Sequence, residues 1–489
     1  MKKRMLTLTL ALAMLLALCA CGGGDKTPDN TPAPTPSVDT EPNPAPADVP
    51  GTEPAVPDTP SDPLTGWILA DDPASVTGTV RFWIPFKGNQ GMDDLIADFN
   101  AIYPNVTVEL TSYNNNADGN LGVDTAIMAG EIDVLASFGL PYTYRRWENG
   151  MFLDITGKIA EEGIDVAANW GTDAYNYNGS FYTFPCGGLS YFMAINMDKW
   201  NAAGLGELPT EWTWDEYLDA CRKMTEVAGD GTVECYGGSL NHSINDYMVS
   251  QYQVTGQDMY YNADTGLSTF NDPVSVNALQ REYNAEVVEK IWYPLVSYRT
   301  DKVSVQDVYS TGKIASTMAT NLFRYLNDTE NYPVDFITGC APYPVEEKGQ
   351  TNYCSGVGYF SHAGVVSNAQ DQDAAWAFCK YYATYGCKWL IAAGHAPTWK
   401  GTEPSSVVEV AFGSMEKAES LVDIESFTRC FANPANPGYA DTHVVASNDL
   451  SSIVNEYALA VMRGEYSVEE GSRIMQEKGD EAIKAAGNS

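Results

Sequence analysis

Basic residues are scarce in this chain: 28 Lys and Arg stand against 64 Asp and Glu, a net charge of −36. A phosphate backbone is bound through clustered cations, so nucleic acid is excluded as a partner. Histidines number four, His242, His362, His395 and His443, and no two stand at metal-ligand spacing. The ten cysteines include no C-x-x-C pair, so no zinc site is expected. G-x-S-x-G, H-E-x-x-H and the P-loop are also missing, which removes the familiar hydrolase, metalloprotease and nucleotide-hydrolysing machineries. No catalytic set and no cofactor are expected. Beyond the first two dozen residues, no apolar run approaches the roughly 18 residues of a membrane span.

What is present begins with Lys2, Lys3 and Arg4 ahead of an apolar run from Met5 to Leu18, the layout of an export signal. Its end, Leu18-Cys19-Ala20-Cys21-Gly22, resembles the lipobox of bacterial lipoproteins. That resemblance implies lipidation of Cys21, with Cys19 as the rival, and places the chain outside the cytoplasm, held to the cell membrane by the lipid alone. Residues 22–63 hold twelve of the 27 prolines and almost no large apolar side chains, so a disordered tether is expected there. At about 3.1 Å per residue such a linker spans on the order of 100 Å. A folded part from Leu64 onward is long enough for two lobes.

The run Thr79 to Phe86 reads as a strand. Met92, Leu95, Ile96, Phe99, Ile102 and Tyr103 then recur at helical spacing, and Val106, Val108 and Leu110 alternate. Strand, helix and strand in this order predict a parallel βαβ unit. A second helix near Val123 to Met128 leads into a strand from Ile132 to Ala136. Thr213 with Glu216 and Ser467 with Glu470 read as capping boxes, and Asp373 to Ala393 as helix ending at Gly394 and Pro397. The class is α/β, with ligand expected at the carboxyl ends of strands. Eight further cysteines permit disulfides in an exported protein, and Cys340 with Cys354 is the pairing to test first.

The order of VRFWIPF, FNAIYPNVTVEL, AGEIDVLASFG, NGSFYTFPCGG, YFMAINMDKWNAAGL, TWDEYLDACRKMT, STGKIASTMATN and GVVSNAQDQDAAWAFCKYYATYG followed by AAGHAPT resembles the solute-binding proteins of bacterial ABC importers, in the group related to maltose-binding protein. The resemblance implies a two-lobed fold of the type II periplasmic-binding kind with a ligand cleft between lobes. It implies a sugar as ligand, a membrane permease as partner, and a monomer. The implied lobes are 64–186 with 337–392, and 187–336 with 393–489, with crossings near Phe184 to Gly188 and Cys340 to Gly358. Carried over by position, the implied ligand residues are Trp83, Tyr113, Asn114, Asp133 and Ser137 on the first lobe. Tyr191, Asn321, Phe323 and Trp399 face them from the second.

Two other readings remain at this level. One is a lipid-anchored glycoside hydrolase using a pair among the 64 acids about 5 to 9 Å apart. The other is a receptor for a different small solute, such as an oxyanion, which arginines at the cleft would favour. The adjacent Arg145 and Arg146 are expected on a surface turn instead.

Overall fold

A computed structural model describes residues 65–172, 175–240, 243–256, 258–319, 322–432, 436–439 and 446–487. The leader, the linker, Cys21 and Asn321 lie outside the described residues.

Strand β1 (Gly78–Ile84) buries Val80, Phe82 and Ile84 on alternate positions. Phe82 meets Phe378 and Tyr382 of the helix Gln372–Ala383 at 4.8 and 5.1 Å between ring centroids. The helix Asp93–Ile102 then leads to β2 (Val106–Ser112), parallel to β1 from Gly78↔Val106 to Ile84↔Ser112. The helix Ala117–Met128 leads to β3 (Val134–Phe138), parallel to the other side of β1. The expected βαβ layout is therefore present.

Strand β4 (Phe184–Gly188) completes the first pass through this sheet, and three residues later β5 (Phe192–Asn196) opens another. There β5 lies between β6 (Ser316–Ala319) and β7 (Thr338–Pro342), antiparallel to both. The chain returns with β8 (Ser361–Val365) and β9 (Ala396–Pro397), giving a six-stranded order β9-β4-β8-β3-β1-β2 and a three-stranded order β6-β5-β7. One core surrounds the large sheet. Two others sandwich the small one, Met193 and Ile195 of β5 pointing into one and Phe192 and Ala194 into the other.

These pairings correct the expected lobe boundaries. Residues 338–342, assigned by resemblance to the first lobe, form β7 of the second sheet, while 396–397, assigned to the second lobe, pair with β4 in the first. Every residue of β7 is buried, so its sequence carries no alternation to reveal which sheet it joins. Glycine at position 394, at φ +87°, ends the helical turn Tyr385–Ala393 in the left-handed conformation and turns the chain into β9. Thr213 and Glu216 form the expected capping box, and the Glu470 amide bonds the Ser467 hydroxyl at 3.1 Å.

All eight cysteines of the folded part are buried free thiols. Cys340 lies in one core beside the second sheet and Cys354 in the other, where its thiol bonds the Val249 carbonyl at 3.3 Å. These two, the pairing to test first, are therefore not bridged. Trp292 is a buried member of the second-sheet core.

Candidate functional site

Strand direction collects a set of side chains on one edge of the first sheet. Phe86 follows β1, Asn114 follows β2, Gly139 follows β3 and Leu189 follows β4, all beyond carboxyl ends. Because β8 and β9 run the opposite way, Phe360 and His395 precede them at this same edge. The small sheet presents its matching edge to the crossings, since Tyr191 precedes β5 and the helix Phe323–Leu326 follows β6.

Four rings form an apolar floor at the first edge. Phe86 lies 4.9 Å from Phe138 and 5.2 Å from His395, and Phe138 lies 5.4 Å from His395. Phe360 stacks on His395 at 6.1 Å with planes 17° apart. Phe138 is buried, whereas Phe86, Phe360 and His395 keep part of their surface. The Ser112 hydroxyl bonds the Phe86 carbonyl at 2.6 Å, tying the ends of β1 and β2 together beneath the exposed amides Asn114, Asn115 and Asn116. From the second sheet comes Arg324, whose Nη1 donates to the Ala393 carbonyl at 3.3 Å and whose Nη2 donates to the Tyr325 hydroxyl. Burial, aided by the positive charge of Arg324, pushes His395 down to about 4, so its imidazole is neutral at physiological pH. Its Nδ1 is buried, with no hydrogen-bond partner among the described residues. Stacking surfaces, exposed amides and one guanidinium are a set for holding a ligand.

The residues expected from resemblance divide. Asn114 is exposed at this edge, and Tyr191 stands half-buried at the crossing, its ring 5.7 Å from Tyr439 and its amide bonded to the Cys354 carbonyl at 2.9 Å. Trp83 is half-buried one position inside β1, on the face away from Phe82, level with Leu135 and Thr111. Tyr113 lies just beneath the edge, its hydroxyl donating to the Ala136 carbonyl at 2.9 Å, and burial raises its pKa.

The other four stand elsewhere. Asp133 precedes β3, at the amino edge of the sheet, and its carboxylate is taken up by Arg81 and the Gln370 amide. Ser137 is fully buried and accepts from Arg146 Nη1 at 2.7 Å and the Thr143 hydroxyl at 2.8 Å. Phe323 is buried among Phe192, Phe427 and Phe431, 4.3 Å from the last. Trp399 packs with the first-sheet core, not the second, its Nε1 donating to Asn169 at 2.9 Å and its ring 5.3 Å from Tyr385. Arg146, expected on a surface turn, is completely buried in the helix Leu140–Glu148 and bonds Asp124 at 2.7 Å.

Sequence reasoning missed Phe86, Phe360, His395 and Arg324. A usable signal existed for Phe86, which ends the strand-like run in an aromatic beyond Pro85, but Phe360 and His395 stand ahead of strands antiparallel to β3 and β4, and Arg324 comes from the helix after β6 of the second sheet.

Residues 86–386 match the family model of the bacterial extracellular solute-binding proteins. The chain belongs to this family. No curated protein matches it in sequence. Among solved structures, a sugar transporter from Rhizobium etli in an open conformation shares 18% identity at a TM-score of 0.65, covering 84% of this chain and 100% of that one. An ABC substrate-binding protein from Listeria monocytogenes in complex with cycloalternan shares 18% at 0.61, covering 84% and 99%. A cyclic alpha-maltosyl-1,6-maltose binding protein from Arthrobacter globiformis shares 18% at 0.58, covering 84% and 100%. At these identities the likeness establishes the fold. Among the described residues of this solute-binding protein, no helix is long and apolar enough to cross a membrane.

Proposed function

We propose that this solute-binding protein is the carbohydrate receptor of a bacterial ABC importer, anchored through a lipid on Cys21 and presenting its ligand to a permease when the lobes close. The observation that supports this most directly is the floor of Phe86, Phe138, Phe360 and His395, set where the carboxyl ends of one sheet meet the crossings to the other. Faces of this kind suit the apolar faces of pyranose rings, and the exposed amides Asn114 to Asn116 suit hydroxyls. Of the residues expected from resemblance, Asn114, Tyr191 and Trp83 stay candidates for ligand contact. Two of the fold relatives are saccharide binders: one holds cycloalternan, and the other binds cyclic alpha-maltosyl-1,6-maltose.

The test is a thermal-shift screen of the purified chain against sugars, amino acids and peptides. A sugar at 100 times its Kd adds about 2.7 kcal/mol of stability. Stabilisation by peptides with none by any sugar would overturn the reading. Scattering at saturation is expected to show a smaller radius of gyration, because a two-sided cleft contacts its ligand fully only when shut. A bound oligosaccharide stays intact on prolonged incubation, whereas cleavage that heat-killing abolishes would favour a hydrolase. Cys21→Ser leaves the protein unprocessed or released, and labelled lipid on that variant would refute the anchor.

A further inference from the structure

The described arginines that are not exposed are Arg81, Arg146, Arg281, Arg324 and Arg429. Arg81 is paired with Asp133, Arg146 with Asp124, Arg281 with Glu346 and Arg429 with Glu425. Arg324 alone has no carboxylate at ion-pair distance among the described residues. The chain holds 64 acids against 28 bases, so partners are not in short supply. Asp328, one helical turn on, bonds Asn331 through both carboxylate oxygens, at 3.0 and 2.9 Å. A partly desolvated guanidinium without a counter-charge is unfavourable unless something else supplies one.

Arg324 is also held in place. It lies over the Tyr325 ring at 4.6 Å and bonds Ala393, two residues before His395. The Ala393 carbonyl ends a helical turn and offers only a partial negative charge. Beside it, His395 has a buried Nδ1 with no partner among the described residues. The candidate cleft therefore combines aromatic faces with a guanidinium that has no anion, and an imidazole nitrogen that has no hydrogen-bond partner, among the described residues.

We propose that the ligand is a saccharide carrying one negative charge, a uronic-acid sugar or a sulfated one, whose anionic group is received by Arg324 with His395 bonding an adjacent oxygen. The inference rests on the carbohydrate reading above. The guanidinium fork matches the planar oxygens of a carboxylate and suits a sulfate ester as well. A phosphate monoester brings a second charge, and every other arginine that is not exposed among the described residues already has a carboxylate partner.

The experiment is calorimetry on the purified full-length chain with galacturonate di- and trisaccharides, their methyl esters, neutral galactose oligosaccharides and sulfated galactose oligosaccharides. The acid is expected to bind at least tenfold more tightly than its methyl ester, and the preference to shrink as salt rises. Arg324→Gln should collapse the acid-to-ester ratio toward one, and Arg324→Lys should retain part of it. The wild-type ratio needs no variant to fold and stands by itself. Preference for the sulfated probe over the acid supports the anionic class and selects its source. Neutral sugars or esters binding as well as the acids would overturn this inference and leave the carbohydrate receptor intact. Absence of binding to every saccharide would overturn both.

Discussion

The guanidinium of Arg81 and the carboxylate of Asp133 meet fork to fork, with Nη2 to Oδ1 at 2.6 Å and Nε to Oδ2 at 2.7 Å. Two backbone amides, of Arg81 and Gln370, add bonds of 2.9 Å each. Burial alone would raise the Asp133 pKa, but these four donors outweigh it and hold the carboxyl below its usual range. The pair knits β1 to β3 and to the loop after β8, at the edge opposite the candidate cleft.

Asp133→Asn should therefore lower stability and spare ligand affinity. Removing one partner of a buried pair typically costs about 3 to 5 kcal/mol. Arg81 keeps some solvent, with 21% of its side chain exposed, so the lower end applies. With the folded pKa depressed, this contribution is present above about pH 4 and is lost as pH falls below it. Denaturant midpoints and sugar titrations on one preparation check it. A stable variant with weakened binding would return Asp133 to the ligand site.

Trp399→Ala and Phe360→Ala should have opposite signatures. Trp399 is 4% exposed and bonded to Asn169, so its loss should cost about 3 to 5 kcal/mol of stability with little change in affinity. Phe360 is half-buried at the cleft edge, so its loss should weaken sugar binding by about 1 to 2 kcal/mol. Melting curves and calorimetry on both variants decide. The reverse pattern would mean that the cleft lies on the Trp399 side.

The folded chain should resist thiol reagents. Cys186, buried and bonded to Ser361, is pushed up to about 12, and Cys430 likewise by burial. A thiol so rarely ionised and without solvent access reacts slowly. Ellman titration should therefore find almost no reactive thiol in the folded domain and eight after denaturation. Fewer than eight after denaturation without reductant would reveal a disulfide.

Much of the first sheet is legible in sequence because local patterns decide it. Val80, Phe82 and Ile84 alternate, and Thr213 and Glu216 cap their helix through neighbours three residues apart. Asp133 misleads because a carboxylate beside a strand looks the same at either edge. Only the register Phe82↔Val134 puts it before the strand, and its partner Arg81 is 52 residues away. Arg324 is harder still. Asp328 four residues on reads as its natural helical partner, and nothing local shows that Asn331 takes that carboxylate instead. Phe360 and His395 reach the edge because they stand ahead of strands antiparallel to β3 and β4, which pairing alone reveals.

Glu282 and Glu286 stand one turn apart near the end of the helix Pro273–Tyr283, 2% and 8% exposed, and they make stability sensitive to alkaline pH. Glu286 accepts from the Leu295 amide at 2.9 Å, while Oε2 of Glu282 has no partner among the described residues. Burial raises both carboxyls, and for Glu282 the charges of Glu286 and Asp246 push it further up while Arg281 opposes them. A carboxyl whose folded pKa lies above its unfolded value binds its proton more tightly in the native state. Its contribution is full below about pH 4.5 and is lost as pH rises toward the folded pKa, at about 1.4 kcal/mol for each pH unit that separates the folded and unfolded values. His362 and His395 act in the opposite sense. Pushed down to about 3 and about 4, they cost stability as pH falls from about 6.5. Melting temperature should thus decline between pH 6.5 and 8.5, where the histidines no longer titrate. Glu282→Gln removes one buried titrating carboxyl, so it should flatten that decline and be more stable than wild type at pH 8.5. An equally steep decline in the variant would show that Glu282 does not stay protonated in the fold.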